Sequence, residues 1–260
     1  MKKGIIVYND HDKELNQWFV DNCLKSLNYD DFSLLYKEEN EALDYIKQNQ
    51  VDFVIYRARN YALLNAIECR GIRCFNNSLT NRIANNKYKT YEFLKENGFP
   101  CLETFLDSGQ LSFPFVMKSI DGHGGSEVYL ISSEDEMKPV DKEYIYQGYL
   151  ANNGDVRLYV LNGKIIGAVK RNNSHDFRSN FSLGGEVELY QPNKEMINIA
   201  LKISELLKSD YIGVDFIIHD KGFVVNEIED PVGAKMLFKV AGIDAVSLFI
   251  EDIKSKLTSN

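Results

Sequence analysis

The sequence predicts a mixed α+β protein that begins with a small α/β domain containing a parallel sheet. Strand-like and helical stretches alternate over residues 1–83, as they do where crossover helices join parallel strands. Hairpin signals follow, and the clearest is Asn162-Gly163 between two apolar runs. The 260 residues are 44% hydrophobic and 26% charged, which gives enough apolar surface for a packed core in one large domain or two to three small ones.

The N-terminal elements follow from local patterns. Apolar runs predict strands at residues 4–8, 52–56 and 72–75, and helical periodicity predicts helices at 14–27 and 41–48. No glycine-rich turn follows the first strand, so the sequence lacks the phosphate-binding turn of a dinucleotide-binding domain. Two roles stay open for this domain: a purely structural one and the binding of a substrate.

The later elements are helices and hairpins. A helix is predicted at residues 86–97, where Gly98 and Pro100 end it, and further helices at 194–208 and 246–257. Hairpins are predicted to pair residues 114–120 with 127–132, 156–161 with 164–170, and 211–218 with 222–228. We therefore expect antiparallel sheets here, in contrast to the N-terminal domain.

Charge and short motifs exclude several classes of protein. The net charge of −8 repels polyanions and membrane surfaces, so we expect no nucleic-acid partner and no membrane partner. The first apolar run is too short for a signal peptide or a membrane span, which predicts a cytoplasmic protein. The four cysteines and four histidines are scattered, and their spacing suggests neither a zinc site nor a Ser-His-Asp triad.

Three acidic residues of the last hairpin suggest a metal site. Glu227 and Glu229 lie two apart on one strand, so their side chains share a face. If residues 219–222 form the turn, Asp215 lies opposite residue 226 or 227. Converging carboxylates repel one another unless a cation joins them, and Mg²⁺ is usually held by carboxylates, phosphates and waters. A solvated acidic strand end is the alternative.

Two further stretches suggest an anionic ligand. Lys118 ends an apolar strand just before the glycine-rich segment 121–126, whose backbone could fold over phosphates, although a plain hairpin has the same composition. Residues 170–180 combine arginines with asparagine, which favours anion binding, with an exposed loop as the alternative. Seven Lys or Arg against one acid between Arg57 and Lys89 suggest small anions or a solvated basic surface.

Five short segments occur in a fixed order along the chain: Phe115-Val-Met-Lys118, Asp155-Val-Arg157, Asp176-Phe-Arg-Ser-Asn180, Gly213-Val-Asp215 and Asn226-Glu-Ile-Glu229. Over about residues 52–245 the chain resembles the ATP-grasp enzymes. It is most similar to the RimK-like branch of carboxylate-amine ligases, which adds glutamate to ribosomal protein, coenzymes or peptides. Several motifs in order are far more specific than any one of them.

The resemblance implies an ATP-grasp fold, in which two α+β subdomains grip ATP, preceded by the small α/β parallel-sheet domain. It divides the chain into an N-terminal domain at 1–83, a small subdomain with a lid hairpin at 84–147, and a large subdomain with the metal site at 148–260. It implies ATP contacts at Lys87, Lys118, Gly124, Gly125, Gln147, Gly148, Tyr149, Leu150, Asp155, Arg178, Ser179 and Asn180. Asp215, Glu227 and Glu229 are implied to hold Mg²⁺, usually two ions, with Mn²⁺ as a substitute.

The implied reaction joins a carboxylate to an amine through an acyl phosphate, and ATP becomes ADP and phosphate. Lys118, Arg178 and Arg157 are the expected catalytic residues, and Arg57 and Arg157 are expected to grip a substrate carboxylate. The expected substrates are amino acids, peptides or small biosynthetic intermediates, and the oligomeric state stays open, a homo-oligomer included. The alternatives are a non-catalytic nucleotide-binding or regulatory protein on this fold and an ATP-dependent phosphotransferase.

The chain departs from the family pattern in three respects. Glu229 stands where asparagine is usual, and Gly148 stands where glutamate is common before the adenine-facing aromatic residue. Asp230 and Pro231 stand where small residues are common. The last change lies beside the implied acceptor site, so it concerns substrate choice, and we do not transfer ribosomal protein as the substrate.

Overall fold

The described residues form three β-sheets and the helices that pack against them. The structure is a computed structural model, and it describes residues 1–28, 31–125, 127–138, 142–172 and 186–258. Within these ranges the first sheet is parallel. The other two sheets are antiparallel. The predicted change from parallel to antiparallel structure along the chain is therefore confirmed.

The N-terminal domain is built on the parallel sheet. Its strands are β1 (Lys2–Tyr8), β2 (Phe32–Glu38), β3 (Phe53–Tyr56) and β4 (Arg73–Phe75), in the order β2-β1-β3-β4. The helices are α1 (Asp10–Leu15), α2 (Gln17–Leu27), α3 (Glu39–Gln48), α4 (Tyr61–Glu68) and α5 (Ser78–Ala84). Strand β3 is buried along its whole length and β1 along its last five residues, as expected for central strands covered on both faces.

The sequence pattern missed β2, α4 and α5, and it merged α1 with α2. Strand β2 is only partly buried and carries charged residues at its end, so its apolar signal is weak. The helix predicted at 14–27 divides at Asn16. The Asn16 side chain donates to the Asp12 carbonyl at 2.8 Å and ends α1, and the Asn16 carbonyl accepts from the Phe19 N–H at 2.8 Å as α2 begins.

Two antiparallel sheets follow. The small sheet consists of β5 (Thr104–Phe105), β6 (Phe115–Ser119), β7 (Val128–Ile131) and β8 (Tyr144–Gly148), in the order β5-β8-β6-β7, and α6 (Lys87–Glu96) precedes it. The large sheet consists of β9 (Asp155–Leu161), β10 (Lys164–Asn172), β11 (Glu186–Leu189), β12 (Tyr211–His219) and β13 (Gly222–Glu229), in the order β11-β10-β9-β12-β13. Its helices are α7 (Lys194–Leu207), α8 (Lys235–Ala241) and α9 (Ala245–Thr258). None of the described helices combines the length and apolar character needed to cross a membrane.

The large sheet buries a different core on each face. Val156, Leu158 and Val160 of β9 pack with residues of α7 on one face. Tyr159 and Leu161 face the other way and belong to the core that also contains the N-terminal domain, α8 and α9. Because side chains alternate along a strand, Asp155 and Arg157 lie on this second face. The shared core joins the N-terminal domain closely to the large sheet, and the division at residues 83 and 147 stays a prediction.

Candidate functional site

A cavity of about 320 Å³ is lined by residues of all three parts of the molecule, a volume typical of small-ligand sites. We call one group of lining residues the small-sheet side; it comprises Lys87, Lys118, the glycine-rich segment after β6 and residues 147–150. We call another group the N-terminal side, because it includes Asn16 and Arg59 of the N-terminal domain. The other residues of this group are Asn85, Gly233 and Lys235. Charged residues of β9, β10, β12 and β13 complete the lining.

Every predicted nucleotide contact that falls within the described residues lines this cavity. These residues are Lys87, Lys118, Gly124, Gly125, Gln147, Gly148, Tyr149, Leu150 and Asp155. The remaining three predicted contacts, Arg178, Ser179 and Asn180, lie outside the described residues. Positions spread over 69 residues of sequence, from 87 to 155, are thus brought to one cavity.

Strand register explains why charged residues meet on one face of the large sheet. Asp215 on β12 pairs with Arg157 on β9 and with Glu227 on β13. One strand further out, Arg171 on β10 pairs with Asp155 on β9. Residues paired across neighbouring strands point to the same side of a sheet. The result is a row of charged side chains across four adjacent strands.

A β-bulge decides the register that the sequence left open. The predicted turn at residues 219–222 is confirmed. Counting back from this turn without a bulge would place residue 226 opposite Asp215. The register shifts just beyond Asp215, however, so Glu227 becomes its partner and Asn226 is the extra residue of β13.

The bulged residue reaches the small sheet. Lys118 Nζ on β6 donates a hydrogen bond to Asn226 Oδ1 at 3.0 Å, and the same ammonium group lies 4.0 Å from a Glu227 carboxylate oxygen. Lys118 is only 7% exposed, and burial lowers the pKa of its ammonium group. The Lys118–Asn226 contact thus connects the two antiparallel sheets at the cavity. Asn226 was not singled out from the sequence, because its position depends on the bulge.

The three predicted metal ligands come together. One carboxylate oxygen from each of Asp215, Glu227 and Glu229 lies within 4.8 Å of the other two. Asp215 is buried, whereas the two glutamates are half-buried and line the cavity. Clustered carboxylate oxygens are the ligand type that Mg²⁺ prefers, so this donor set fits the ion that the sequence suggested. We call these three residues the carboxylate cluster.

Two buried arginines neutralise the carboxylate cluster. Arg157 donates to the two oxygens of Asp215 from Nε and Nη2, at 2.7 Å each, and from Nη2 to Glu229 at 2.8 Å. Arg171 donates to Asp215 at 2.7 Å and also bonds Asp155. Burial raises the pKa of Asp215, but the two guanidinium groups outweigh it and hold this pKa at about 2. Asp215 therefore stays ionised at neutral pH.

Arg171 belongs to the stretch 170–180 that the sequence analysis associated with anion binding, but it was not predicted as an individual site residue. Its strand was predicted to end at Lys170, but β10 continues to Asn172. The available signal was the Lys170-Arg171 pair at the end of an apolar strand.

A glycine gives the Arg157 side chain its path. A Cβ atom at Gly213 would lie 3.1 Å from Arg157 Cδ and 3.2 Å from the Glu229 Cβ. Both distances are tighter than ordinary van der Waals contacts, so a larger residue would displace one of the two side chains. Gly213 precedes Asp215 by two residues and faces the same side of β12, which places this gap directly beside the carboxylate cluster.

The small-sheet side has features that fit a nucleotide. Gln147 donates from Nε2 to Thr104 at 2.8 Å, but its Oε1 atom is buried and accepts no hydrogen bond from the described residues. Buried acceptors are normally satisfied, and the exocyclic amine of adenine is a donor of the required kind. Gly124 and Gly125 have positive φ angles of 69° and 76°, which lets their backbone fold over a ligand. The residues present therefore fit ATP.

Arg57 corrects a sequence-based expectation. Its guanidinium donates from Nε to the Tyr8 hydroxyl at 2.9 Å and from Nη2 to the Val232 carbonyl at 2.8 Å, and it lies 4.0 Å from the centre of the Phe19 ring. The residue is buried and does not line the cavity. Arg57 thus joins the N-terminal domain to the large subdomain, and we do not retain it as a substrate ligand.

A buried acid also lies at the junction between the N-terminal domain and the large subdomain. Asp230 accepts hydrogen bonds from Asn76 Nδ2 at 2.8 Å and from Asn81 Nδ2 at 3.3 Å, both from the N-terminal domain. Burial raises the pKa of Asp230 to about 6. Asn76 also accepts from the backbone N–H groups of Asp210 and Tyr211, at 2.6 and 2.9 Å. The sequence offered no local signal for this network, because each of its hydrogen bonds joins two residues more than 100 positions apart.

Comparison with known proteins identifies the class to which this fold and site belong. The model of the RimK-like ATP-grasp domain matches residues 80–253. The uncharacterized protein MG011 of Mycoplasma genitalium is 32% identical, over 98% of this chain and 93% of its own length. The chain therefore belongs to the RimK-like ATP-grasp family.

Relatives and solved structures agree with this assignment. A probable alpha-L-glutamate ligase of Haemophilus influenzae is 26% identical, over 86% of this chain and 82% of its own. The D-alanine–D-alanine ligase of Bacillus anthracis shares the fold, with a TM-score of 0.76 at 17% identity over the whole of both chains, and its complex with ATP gives 0.75. The expected ATP-grasp fold and the expected class, a carbon-nitrogen ligase, are confirmed.

Proposed function

We propose that this protein is a cytoplasmic, ATP-dependent carboxylate-amine ligase that forms an amide through an acyl phosphate. The observation that supports this best is the meeting of two groups in one cavity. Lys118, a buried cation suited to phosphate, lies 4.0 Å from the carboxylate cluster, which is suited to Mg²⁺. Phosphoryl transfer to a carboxylate needs both groups beside the transferred phosphorus.

The proposed reaction has two steps. A carboxylate oxygen of one substrate attacks the γ-phosphorus of ATP, and the bond from that phosphorus to the oxygen kept by ADP breaks. The amine nitrogen of the other substrate then attacks the carbonyl carbon of the acyl phosphate, loses a proton and expels phosphate. The products are an amide, ADP and phosphate. Positioning and charge neutralisation supply the catalysis, and no covalent bond to the protein forms.

The small-sheet side would bind ATP. Gln147 Oε1 would accept from the adenine amine, and the backbone of Gly148, Tyr149 and Leu150 would face the ring. Lys87 and Lys118 would neutralise the phosphates beneath the segment that contains Gly124 and Gly125. Asp155 would lie on the ribose side, where Arg171 already holds one of its oxygens.

The carboxylate cluster would hold Mg²⁺, with two ions proposed and Mn²⁺ as a substitute. When bound, the metal would neutralise charge on the phosphates. Arg157 and Arg171 orient Asp215 and keep it ionised, which prepares it as a ligand. Arg157 is also proposed to act in catalysis and to meet a substrate carboxylate. We retain Arg178 as the proposed oxyanion contact, beside Ser179 and Asn180.

An amino acid, a peptide or a small biosynthetic intermediate is the proposed substrate class. Support comes from relatives named as glutamate ligases and from the moderate volume of the cavity, about 320 Å³. Asp230 lines the cavity and is followed by Pro231, and we propose that these two residues lie beside the acceptor site, where they would affect substrate choice.

Trapping with hydroxylamine tests the proposed function. The protein is incubated with ATP, Mg²⁺, hydroxylamine and pooled amino acids and other carboxylates, and we expect a hydroxamate together with ADP. Dividing the pool then identifies the carboxylate. ADP with a stable phosphorylated product would indicate a phosphotransferase, and AMP in place of ADP would contradict the acyl phosphate. Glu227→Gln is the matched variant: it removes one proposed Mg²⁺ ligand at a half-buried position, so hydroxamate formation should be lost while the fold is retained.

A further inference from the structure

The geometry points to a carboxylate-binding site on the N-terminal side of the cavity, in which Arg59 is the ligand-binding group and Asp12 and Asn9 hold it in position. The inference rests on the proposed function, because it assigns a second recognition point to the same substrate cavity. The substrate bound there carries a carboxylate in addition to its reacting group.

Asp12 is a buried acid that the proposed chemistry does not use. It is 5% exposed, and its carboxylate accepts a hydrogen bond from Asn9 Nδ2 at 2.8 Å. In return, Asn9 Oδ1 accepts from the Asp12 N–H at 2.8 Å, which caps α1. This reciprocal pair fixes the carboxylate. The same Asp12 oxygen bonds Arg59 Nη1, so a rigid acid anchors one corner of the guanidinium group.

The rest of the Arg59 guanidinium group is available to a ligand. Its bond to Asp12 is the only side-chain hydrogen bond that Arg59 makes within the described residues. The side chain is 23% exposed, and the residue lines the cavity. A guanidinium group held at one corner can present its other N–H groups as a planar fork, and that fork matches the two oxygens of a carboxylate.

The topology of the parallel sheet brings this group together. Asn9 and Asp12 follow the carboxyl end of β1, Arg59 follows the carboxyl end of β3, and these two strands are neighbours. Ligands of open α/β sheets bind in the crevice beyond the carboxyl ends of the strands. This placement favours substrate binding over a purely structural role for the N-terminal domain, the two roles that its sequence left open.

Arg59 is also close enough to the reacting end to share a substrate with it. Arg59 lines the same cavity as the three residues of the carboxylate cluster. Lys235 adds a second positive charge to the N-terminal side, where its Nζ donates to the Leu15 carbonyl at 2.9 Å. A substrate that occupies this cavity of about 320 Å³ can therefore contact both the cluster and Arg59.

Direct binding of dicarboxylates tests this site without turnover. The protein is saturated with Mg²⁺ and a non-hydrolysable ATP analogue, and succinate, glutarate, L-aspartate, L-glutamate and the mono-amides of the last two are titrated by calorimetry. We expect at least one dicarboxylate to bind more tightly than its mono-amide. Arg59→Ala should weaken that binding about 10-fold or more, and Arg59→Lys should restore part of it.

Asp12→Asn separates positioning from mere support of the fold. Alone it should weaken dicarboxylate binding, but in the Arg59→Ala background it should change nothing further, since Asp12 acts through Arg59. Affinity for the ATP analogue should stay unchanged in each variant. Arg70→Ala is the matched control, because Arg70 is exposed and, among the residues that the structure describes, its side chain bonds only the Ala66 carbonyl.

Two results would overturn the inference: dicarboxylate binding that survives Arg59→Ala, or a wild-type protein that binds no dicarboxylate better than its mono-amide. Failure of the proposed function has a different signature, because it would leave wild-type protein without hydroxamate for every carboxylate while the binding data stand.

Discussion

Asp215 and Asp230 are both buried acids that line one cavity, but their partners differ. Asp215 bonds the guanidinium groups of Arg157 and Arg171, whereas Asp230 bonds only the side-chain amides of Asn76 and Asn81 among the described residues. Burial raises the pKa of both. The arginines reverse its effect and hold the pKa of Asp215 at about 2, while the pKa of Asp230 rises to about 6.

This difference teaches that the partner, rather than burial alone, decides the charge of an acid in the site. The paired arginines commit Asp215 to the ionised form that a metal ion requires. The amide partners donate hydrogen bonds to Asp230 and join two domains, but they supply no formal charge. We call Asp215 with its two arginines the charged region, and Asp230 with Asn76 and Asn81 the junction region.

The largest expected effect comes from removing the acid of the charged region. Asp215→Asn leaves two buried guanidinium groups without their shared partner, so we expect the free energy of unfolding to fall by about 3 to 5 kcal/mol. Urea denaturation measures this change. Glu227→Gln is the matched variant in the same cluster, and because Glu227 is half-buried, it should cost less than about 1 kcal/mol. Equal losses in the two variants would show that Asp215, despite its buried arginine partners, contributes no more to stability than Glu227.

In the junction region, Asp230 should make the stability of the protein depend on pH. Because the folded-state pKa of Asp230 is about 6 and its ordinary value is 3.8, the folded protein holds the extra proton between about pH 4 and 6. Stability should therefore fall as pH rises through this window, by about 2 to 3 kcal/mol from this group. Denaturation of wild type and Asp230→Asn at several pH values measures the difference in slope. Parallel curves would show that Asp230 ionises normally.

The cation that faces the charged region should matter most for nucleotide binding. Lys118→Ala removes a buried ammonium group from the small-sheet side, and a hydrogen bond to a charged group contributes about 1.5 to 3 kcal/mol. We expect the affinity for ATP to fall roughly 10- to 100-fold in calorimetry. Asn226→Ala removes only the neutral partner of Lys118 and should change this affinity less. Unchanged affinity in Lys118→Ala would mean that the glycine-rich hairpin is a plain hairpin.

The smallest effect is expected at Gln147, whose Oε1 atom accepts no hydrogen bond from the described residues. Gln147→Leu removes a buried oxygen that has no partner among the described residues and, with it, the Nε2 donor to Thr104, so the free energy of unfolding of the ligand-free protein should fall by no more than about 1 kcal/mol. ATP should bind several-fold more weakly, by about 1 kcal/mol, because the adenine amine loses its acceptor. Binding of GTP, which lacks that amine, should be unaffected, and an equal loss for both nucleotides would place Gln147 outside base recognition.

Local patterns were sufficient for the charged region but not for the junction. Glu227 and Glu229 could be assigned to one face because they are two residues apart on a strand, and Asp215 could be placed to within one residue by counting from a short turn. Arg171 was missed because its strand continues two residues past the predicted end. In each case the deciding information lies within one hairpin or one strand end.

The N-terminal side depends on contacts that no local pattern contains. Arg57 was expected at the substrate on the family resemblance, but it bonds the Val232 carbonyl, 175 residues away, and lies in the domain junction. Arg59 and Asp12 meet only because β1 and β3 are neighbours in the parallel sheet. Strand order in such a sheet is set by the packing of whole helices, so the residues that face the substrate could not be read in advance.

Transfer of ¹⁸O tests the central claim most directly. The carboxylate that yields a hydroxamate is labelled with ¹⁸O in both carboxyl oxygens and incubated with ATP, Mg²⁺ and its amine partner, and the released phosphate is examined by mass spectrometry. An acyl phosphate ligase passes one carboxyl oxygen to each phosphate, so the predicted result is one ¹⁸O per phosphate released. Phosphate without ¹⁸O, formed together with the amide, would contradict the proposed mechanism.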